Sequence, residues 1–327
     1  MELDAQQLIR VGDSNRTGGT GVLGSAVSDE LLAAGYRVRV LIRNAEKAKV
    51  LTGILDKKHG AELFSTVLVE DCACVIHTLS DSFLSPDPHK VITGSVVFVK
   101  NVLSAAAKTP SVKRFVYTSS QAVLPPITEP GVITSASRRP NADELVSYAW
   151  AEPHTPEEFP LVYTASKVCE EKVCWEFLER EKPDFVFNII IPGFFIGEVY
   201  HPKLISRSNK TILGLLQSHP GAMGFVSAIS PTNFIHLAAL TTDRVRNRSL
   251  LALGEIFDLN CVVDILDKLV PENNLPPKLE SIEEAVAEYD KSFEDELQEE
   301  LGYSTYVNLE DSITQCVKTA SGGTTSA

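Results

Sequence analysis

RVGDSNRTGGTGVLGS, residues Arg10–Ser25, is the stretch on which the fold turns. Its second half, Thr17–Gly24, is a glycine-rich loop that opens a helical pattern. Glycines there let the backbone approach a pyrophosphate, whose charge meets the positive end of the following helix. Gly18, Gly21 and Gly24 give the spacing G-x-x-G-x-x-G rather than G-x-G-x-x-G, and a glycine triplet alone is a weak signal. The surroundings add weight. Ser25–Ala34 is amphipathic, with Ala26, Val27, Leu31 and Leu32 on one side and Gly35 as a natural stop. A β-branched strand pattern, Arg37–Ile42, begins 13 residues after Gly24, so the unit has βαβ proportions. Upstream, Leu8–Val11 is the candidate first strand, with Gly12–Arg16 standing between it and the loop. We expect Leu8–Val11 to pair as that strand, with a bulged exit.

Further along, Cys74–His77 and Arg114–Thr118 read as buried strands and Val91–Ala107 as a long helix. A proline-rich stretch then leads to a helix at Val162–Glu181, the strand Phe185–Ile191 and the turn Pro192–Gly193. This alternation predicts an α/β fold: a Rossmann-like, doubly wound parallel sheet with helices on both faces. Ligands on such sheets sit beyond the carboxyl ends of the strands. Past Gly197 strands become rare, and an acidic helical segment, Ser281–Leu301, dominates the end. The expected organisation is a dinucleotide-binding domain over 1–197 and a smaller, mostly helical, partly interleaved substrate-binding lobe over 198–316. A disordered tail is expected over 317–327.

Bulk properties narrow the function. The 327 residues are 44% hydrophobic and 22% charged, enough for a sizeable core. A net charge of −13 argues against nucleic acid or an anionic membrane as the main partner. The cysteines at 72, 74, 169, 174, 261 and 316 lack the paired C-x-x-C sets of a zinc site and read as buried free thiols, so no metal is expected. The N-terminus has no signal-peptide core, and no apolar run of membrane-spanning length is evident. A cytoplasmic protein is expected.

The strongest chemical feature is Tyr163-Thr-Ala-Ser-Lys167. Residues four apart share a helix face, so Tyr163 and Lys167 point into one site. An ammonium beside a phenol stabilises the phenolate, which suits the pair to proton transfer near neutrality. Tyr117-Thr-Ser-Ser-Gln121 ends a strand, where a hydroxyl can donate to a carbonyl oxygen as charge develops on it. Ser120 is the first choice and Ser119 the second. At the end of the second strand, Arg43, with Lys47 beyond, replaces the acidic residue that would bind a ribose diol, which favours NADPH over NADH. His77 ends a strand near the expected cofactor edge, although packed core histidines are commoner there; His236 reads as core.

Together these residues resemble the extended short-chain dehydrogenase/reductase family, nearest its dihydroflavonol-4-reductase-like and fungal aldehyde or ketone reductase branch. The motifs are TGGTGVLG, RVLIRN, CVIHTLS, VKRFVYTSSQAV, YTASKVCEEKVCWEF and IIIPGFFIG, which cover Thr17–Gly197 well and the rest more weakly. The resemblance implies an NADPH-dependent carbonyl reductase, a ketoreductase acting on an aldehyde or ketone of polyketide type, as a monomer or homodimer. It implies that Tyr163 donates the proton, Lys167 binds the nicotinamide ribose and tunes Tyr163, and Ser120 polarises the carbonyl. Gly18, Gly21, Val22, Leu23 and Gly24 would cradle the pyrophosphate, Arg43 and Lys47 would take the 2′-phosphate, and Pro192, Gly193 and Phe194 would pack beside the nicotinamide with His77 near. Three departures stand out: the Gly12–Arg16 insertion, a 44–73 region short by roughly a dozen residues for βαβ proportions, and Ser230–Leu237 in place of a V-D-V-R-D segment. The shortening predicts a truncated strand–helix unit. Two other readings remain: a degenerate dinucleotide binder without turnover, and a sugar-nucleotide epimerase or dehydratase.

Overall fold

The computed structural model describes residues 8–11, 22–40, 45–61, 63–66, 72–78, 85–151, 154–217, 227–228, 234–280, 284–303 and 307–320. Its centre is a seven-stranded sheet in which every pairing is parallel. The strands are β1 (Leu8–Val11), β2 (Arg37–Val40), β3 (Phe64–Thr66), β4 (Cys74–His77), β5 (Arg114–Thr118), β7 (Val186–Pro192) and β9 (Ser249–Ala252), in the order β3-β2-β1-β4-β5-β7-β9. The first strand therefore forms where expected, between β2 and β4. The order reverses between β1 and β4, and that switch point is where open α/β sheets leave a ligand crevice.

Parallel strands buried on both faces should be apolar throughout. β4, β5 and β7 are buried along their whole length. Alternation then divides two cores. Phe115, Tyr117, Phe187, Ile189 and Ile191 face helices α3 (Gly94–Ala107) and α5 (Phe159–Glu181). Val116 and Ile190 face α1 (Val22–Ala33), α2 (Ala45–His59) and α7 (Phe234–Thr241). On that side Leu31, Leu51 and Leu55 are fully buried, each contributing about 2 kcal/mol of transfer free energy. α1 ends as anticipated at Gly35, whose φ of 85° a residue with a side chain adopts only with strain.

Several expectations need correction. The strand–helix unit after β2 is present: α2 has 15 residues and is followed by β3. The shortening falls instead on the β3–β4 connection, residues 67–73, where a parallel crossover usually takes a dozen or more residues. Strands also persist past residue 197. β8 (Ser227–Ala228) pairs with β10 (Ile256–Phe257), and β9 returns to the main sheet beside β7. The segment 281–301 is not one helix. β11 (Ala287–Tyr289) pairs with β6 (Gly131–Ile133), and helix α9 covers only Ser292–Glu300. α9 places Leu297 in the main core, so this acidic stretch has a packed face that its charge concealed. The last helix, α10 (Leu309–Ala320), continues into the segment expected to be disordered, and its Thr319 hydroxyl accepts the Val199 amide at 2.8 Å.

α10 packs with α6 (Arg207–Leu215) and α8 (Leu259–Leu269) around a separate core of Ile212, Val262, Leu266 and Ile313. α4 (Ala142–Trp150) lies against α5. Among the described residues, His89–Ala107 is one helical stretch long and apolar enough to cross a membrane. One face of it is packed: Val91 and Ile92 are buried beside α5, and Val99 and Leu103 beneath the sheet.

Candidate active site

The chemistry-bearing residues converge at the carboxyl ends of β4, β5 and β7. α5 carries Tyr163 and Lys167 one turn apart, and its buried face also holds Val162, Ala165, Glu170, Glu171 and Cys174. Lys167 is 1% exposed. Its Nζ donates to three acceptors: the Tyr117 hydroxyl at 3.3 Å, the Thr118 carbonyl at 3.4 Å and Glu170 Oε2 at 3.2 Å. Tyr117 Oη in turn donates to the same Glu170 oxygen at 2.9 Å, closing a triangle. The ammonium also lies 5.3 Å from the centre of the Tyr117 ring.

Charge in this buried cluster follows from its neighbours. Burial opposes the Lys167 ammonium, yet Glu170, Tyr163 and Glu171 outweigh it and hold the pKa above its ordinary value. Burial raises the Glu170 pKa, against the pull of Lys167 and the Tyr117 hydrogen bond. The Ser95 hydroxyl on α3 stands near enough to favour the carboxylate, though it lacks hydrogen-bond geometry. Burial, then Glu170, pushes the Tyr117 phenol well up. His77 stacks on Tyr117, ring centres 5.9 Å apart, and burial followed by the Lys167 charge lowers its pKa to about 3. It is therefore a neutral imidazole at working pH.

The two serine candidates differ. Ser119 Oγ donates to Glu171 Oε1, and Arg138 Nε holds the other Glu171 oxygen at 2.7 Å, so that hydroxyl is tied into an ion pair. Ser120 Oγ accepts the Ala122 amide at 3.2 Å, capping a 3₁₀ turn at Gln121–Val123. Its own O–H is not used by any described residue. Tyr163 lies close enough for its charge to act on Lys167, and its hydroxyl bonds to no other described residue.

Pro192 ends β7, and Gly193 follows in very close contact with β8. A Cβ at Gly193 would sit 2.0 Å from the Ala228 carbonyl oxygen, which also accepts the Phe194 amide at 2.7 Å. Only glycine fits. Gln121 braces the same place, its amide nitrogen bonded to Ser227 Oγ and its oxygen accepting the Ala228 amide at 3.3 Å. Of the phosphate-side candidates, Gly24 is buried in the first turn of α1, and Val22 and Leu23 begin that helix. Gly18, Gly21 and Arg43, the Gly12–Arg16 insertion with the expected bulge and the Lys47 side chain lie outside the described residues.

His77 Nδ1 and Thr78 Oγ1, at the end of β4, are buried without hydrogen-bond partners among the described residues. Orphaned polar atoms at a crevice are what a polar ligand would satisfy. Reading the sequence missed Tyr117, Glu170 and Gln121. The signal was there: Glu170 and Glu171 lie three and four residues after Lys167, on its own helix face.

Comparison with known proteins gives the family and agrees with the fold. Residues 17–212 match the NAD dependent epimerase/dehydratase family. The chain is 33% identical over 283 residues to NAD-dependent epimerase/dehydratase terH of Aspergillus terreus, covering 80% of this chain and 82% of that one. It is 30% identical over 286 residues to ketoreductase nvfG of Aspergillus novofumigatus, covering 80% and 82%. Yeast methylglyoxal/isovaleraldehyde reductase Gre2, solved with NADPH, superposes with a TM-score of 0.78 at 21% identity over 97% of this chain and 100% of that one. The chain belongs to the NAD dependent epimerase/dehydratase family, the extended short-chain dehydrogenase/reductases.

Proposed function

We propose that this protein is an NADPH-dependent carbonyl reductase, reducing an aldehyde or ketone to an alcohol. The observation that carries the reading is Tyr163 and Lys167, one turn apart on α5, with the Lys167 ammonium on the Thr118 carbonyl, two residues before Ser120. When bound, the dinucleotide supplies the hydride. Ser120 donates its O–H to the substrate carbonyl oxygen. As that oxygen gains charge, Tyr163 releases its proton to it, and the Lys167 ammonium steadies the resulting phenolate. Lys167 would also hold the nicotinamide ribose, with Pro192 and Gly193 beside it.

Gly18, Gly21, Val22, Leu23 and Gly24 would hold the pyrophosphate at the start of α1, with Arg43 and Lys47 on the 2′-phosphate. His77 is a neutral wall of the same crevice. The reductase names among relatives of like fold support the reading, as does the Gre2 complex with NADPH. Residues 198–316 would shape the pocket for a small carbonyl substrate of polyketide type. The protein would act as a monomer or homodimer in the cytoplasm.

The test is a fluorescence titration with NADPH and NADH, then a panel of aldehydes and ketones with wild type and Tyr163→Phe. Preferential NADPH binding with reduction that collapses in Tyr163→Phe is expected. Undiminished reduction in that variant would overturn the mechanism, and no binding of either dinucleotide would leave a non-catalytic homologue.

A further inference from the structure

An ammonium has three N–H donors, and Lys167 has three acceptors among the described residues, none of them Tyr163. Two of the acceptors, the Tyr117 hydroxyl and Glu170 Oε2, are also bonded to each other, so the inward hold is a closed unit. All three Lys167 contacts are 3.2–3.4 Å, long for bonds from a charged donor. Glu170 also has spare capacity: its Oε1 is buried and bonded to no described residue. The groups facing this pair are Tyr163, Glu171 and Cys174 on α5, Tyr117 on β5, His77 on β4 and Ser95 on α3. Glu170 makes direct contact with the ammonium and lies one turn beyond it on α5, where Tyr163 lies one turn before it.

We propose that Glu170 is a positioning residue that draws the Lys167 ammonium inward, onto Tyr117 and the Thr118 carbonyl, in competition with the nicotinamide-ribose hydroxyls. This rests on the reading of Lys167 as the ribose-binding group. Engaging the ribose requires at least one inward bond to be exchanged, so Glu170 opposes binding of the nicotinamide half of the dinucleotide. The adenine half, which does not reach Lys167, is unaffected.

The experiment compares dissociation constants of NADPH and adenosine 2′,5′-bisphosphate, by fluorescence and its displacement, for wild type, Glu170→Gln and Lys167→Met. Glu170→Gln keeps the side-chain shape and removes the charge. It should tighten NADPH by about five- to tenfold, the scale of one charge-assisted hydrogen bond, and leave the bisphosphate unchanged. Equal tightening of both ligands, no change, or weaker NADPH would overturn the proposal. Lys167→Met should weaken NADPH alone; unchanged NADPH affinity there would remove the ribose-binding reading itself. Circular dichroism checks the fold of each variant. Should Glu170→Gln not fold, Tyr117→Phe, which deletes another inward acceptor, must give the same selective tightening, and unchanged affinity in it would overturn the proposal.

Discussion

Strand β5 has a buried cation at each end, and the two are held in different ways. At its start, Arg114 is 2% exposed. Its guanidinium donates to the carbonyls of Ala239 at 3.3 Å and Val245 at 3.1 Å, and to Asp243 at 2.8 Å. Asn188 on the neighbouring strand donates to the same two carbonyls. At its end, the Thr118 carbonyl accepts from Lys167, whose other partners are a phenol and a carboxyl. A planar guanidinium with fixed backbone acceptors has one geometry and one charge state. An ammonium among hydroxyl and carboxyl groups can exchange partners. The sheet thus has a rigid clamp where its strands begin and an adjustable cation where they end, on the ligand side.

The largest expected effect tests the adjustable end. Tyr163→Phe should lower the rate of carbonyl reduction by about 10²–10⁴-fold, the range for a lost general acid, with NADPH titration little changed. Arg114→Met breaks the other end. It should cost about 2–3 kcal/mol in urea unfolding, as hydrogen bonds from a buried charge are lost, with the pH profile of reduction unmoved. If Arg114→Met altered that profile, the division between the two ends would fail.

Ser120→Ala should lower the reduction rate about 10²-fold, the lower end of the range for losing a single donor to a developing oxyanion. Ser119→Ala should instead lower stability, because it strips a partner from Glu171. The last test is in acid. His77 and His236 are both buried, and their pKa values fall to about 3 from 6.5, so the folded state binds fewer protons than the unfolded chain. Stability should be fully present above pH 6.5 and decline as pH falls toward 3, by up to about 1.4 kcal/mol per pH unit for each histidine. His236→Gln, which can keep a hydrogen bond to Thr118, should remove one histidine's share of that slope in thermal unfolding against pH.

The parts legible in the sequence were those with a local period. Strands of four or five buried residues, the helix face joining Tyr163 to Lys167 and the stop at Gly35 each follow from neighbours in the chain. The order of the sheet follows from βαβ handedness once those elements are in place. What escaped was set by distant partners. The acidic run near 290 looked like a solvated helix because its charges mask Leu297, and β11 exists only by pairing with β6, more than 150 residues away. Tyr117 looked like one more apolar strand position, since its bond to Glu170 crosses from β5 to α5. Ser120 could be placed ahead of Ser119, but the contact that ties Ser119 down, Glu171 held by Arg138, comes from distant parts of the chain.

The return of β9 to the sheet has a consequence for how the chain divides. β7 is seven residues of nearly unbroken apolar strand, Val-Phe-Asn-Ile-Ile-Ile-Pro, and β9 covers its outer edge. A polypeptide ending at residue 197 would keep every residue proposed for hydride and proton transfer. It would also bare that edge as a row of unpaired amides and carbonyls, a template for adding strands from other copies. Residues 1–197 are therefore not a self-sufficient module: the outer edge of β7 depends on a strand made some fifty residues later.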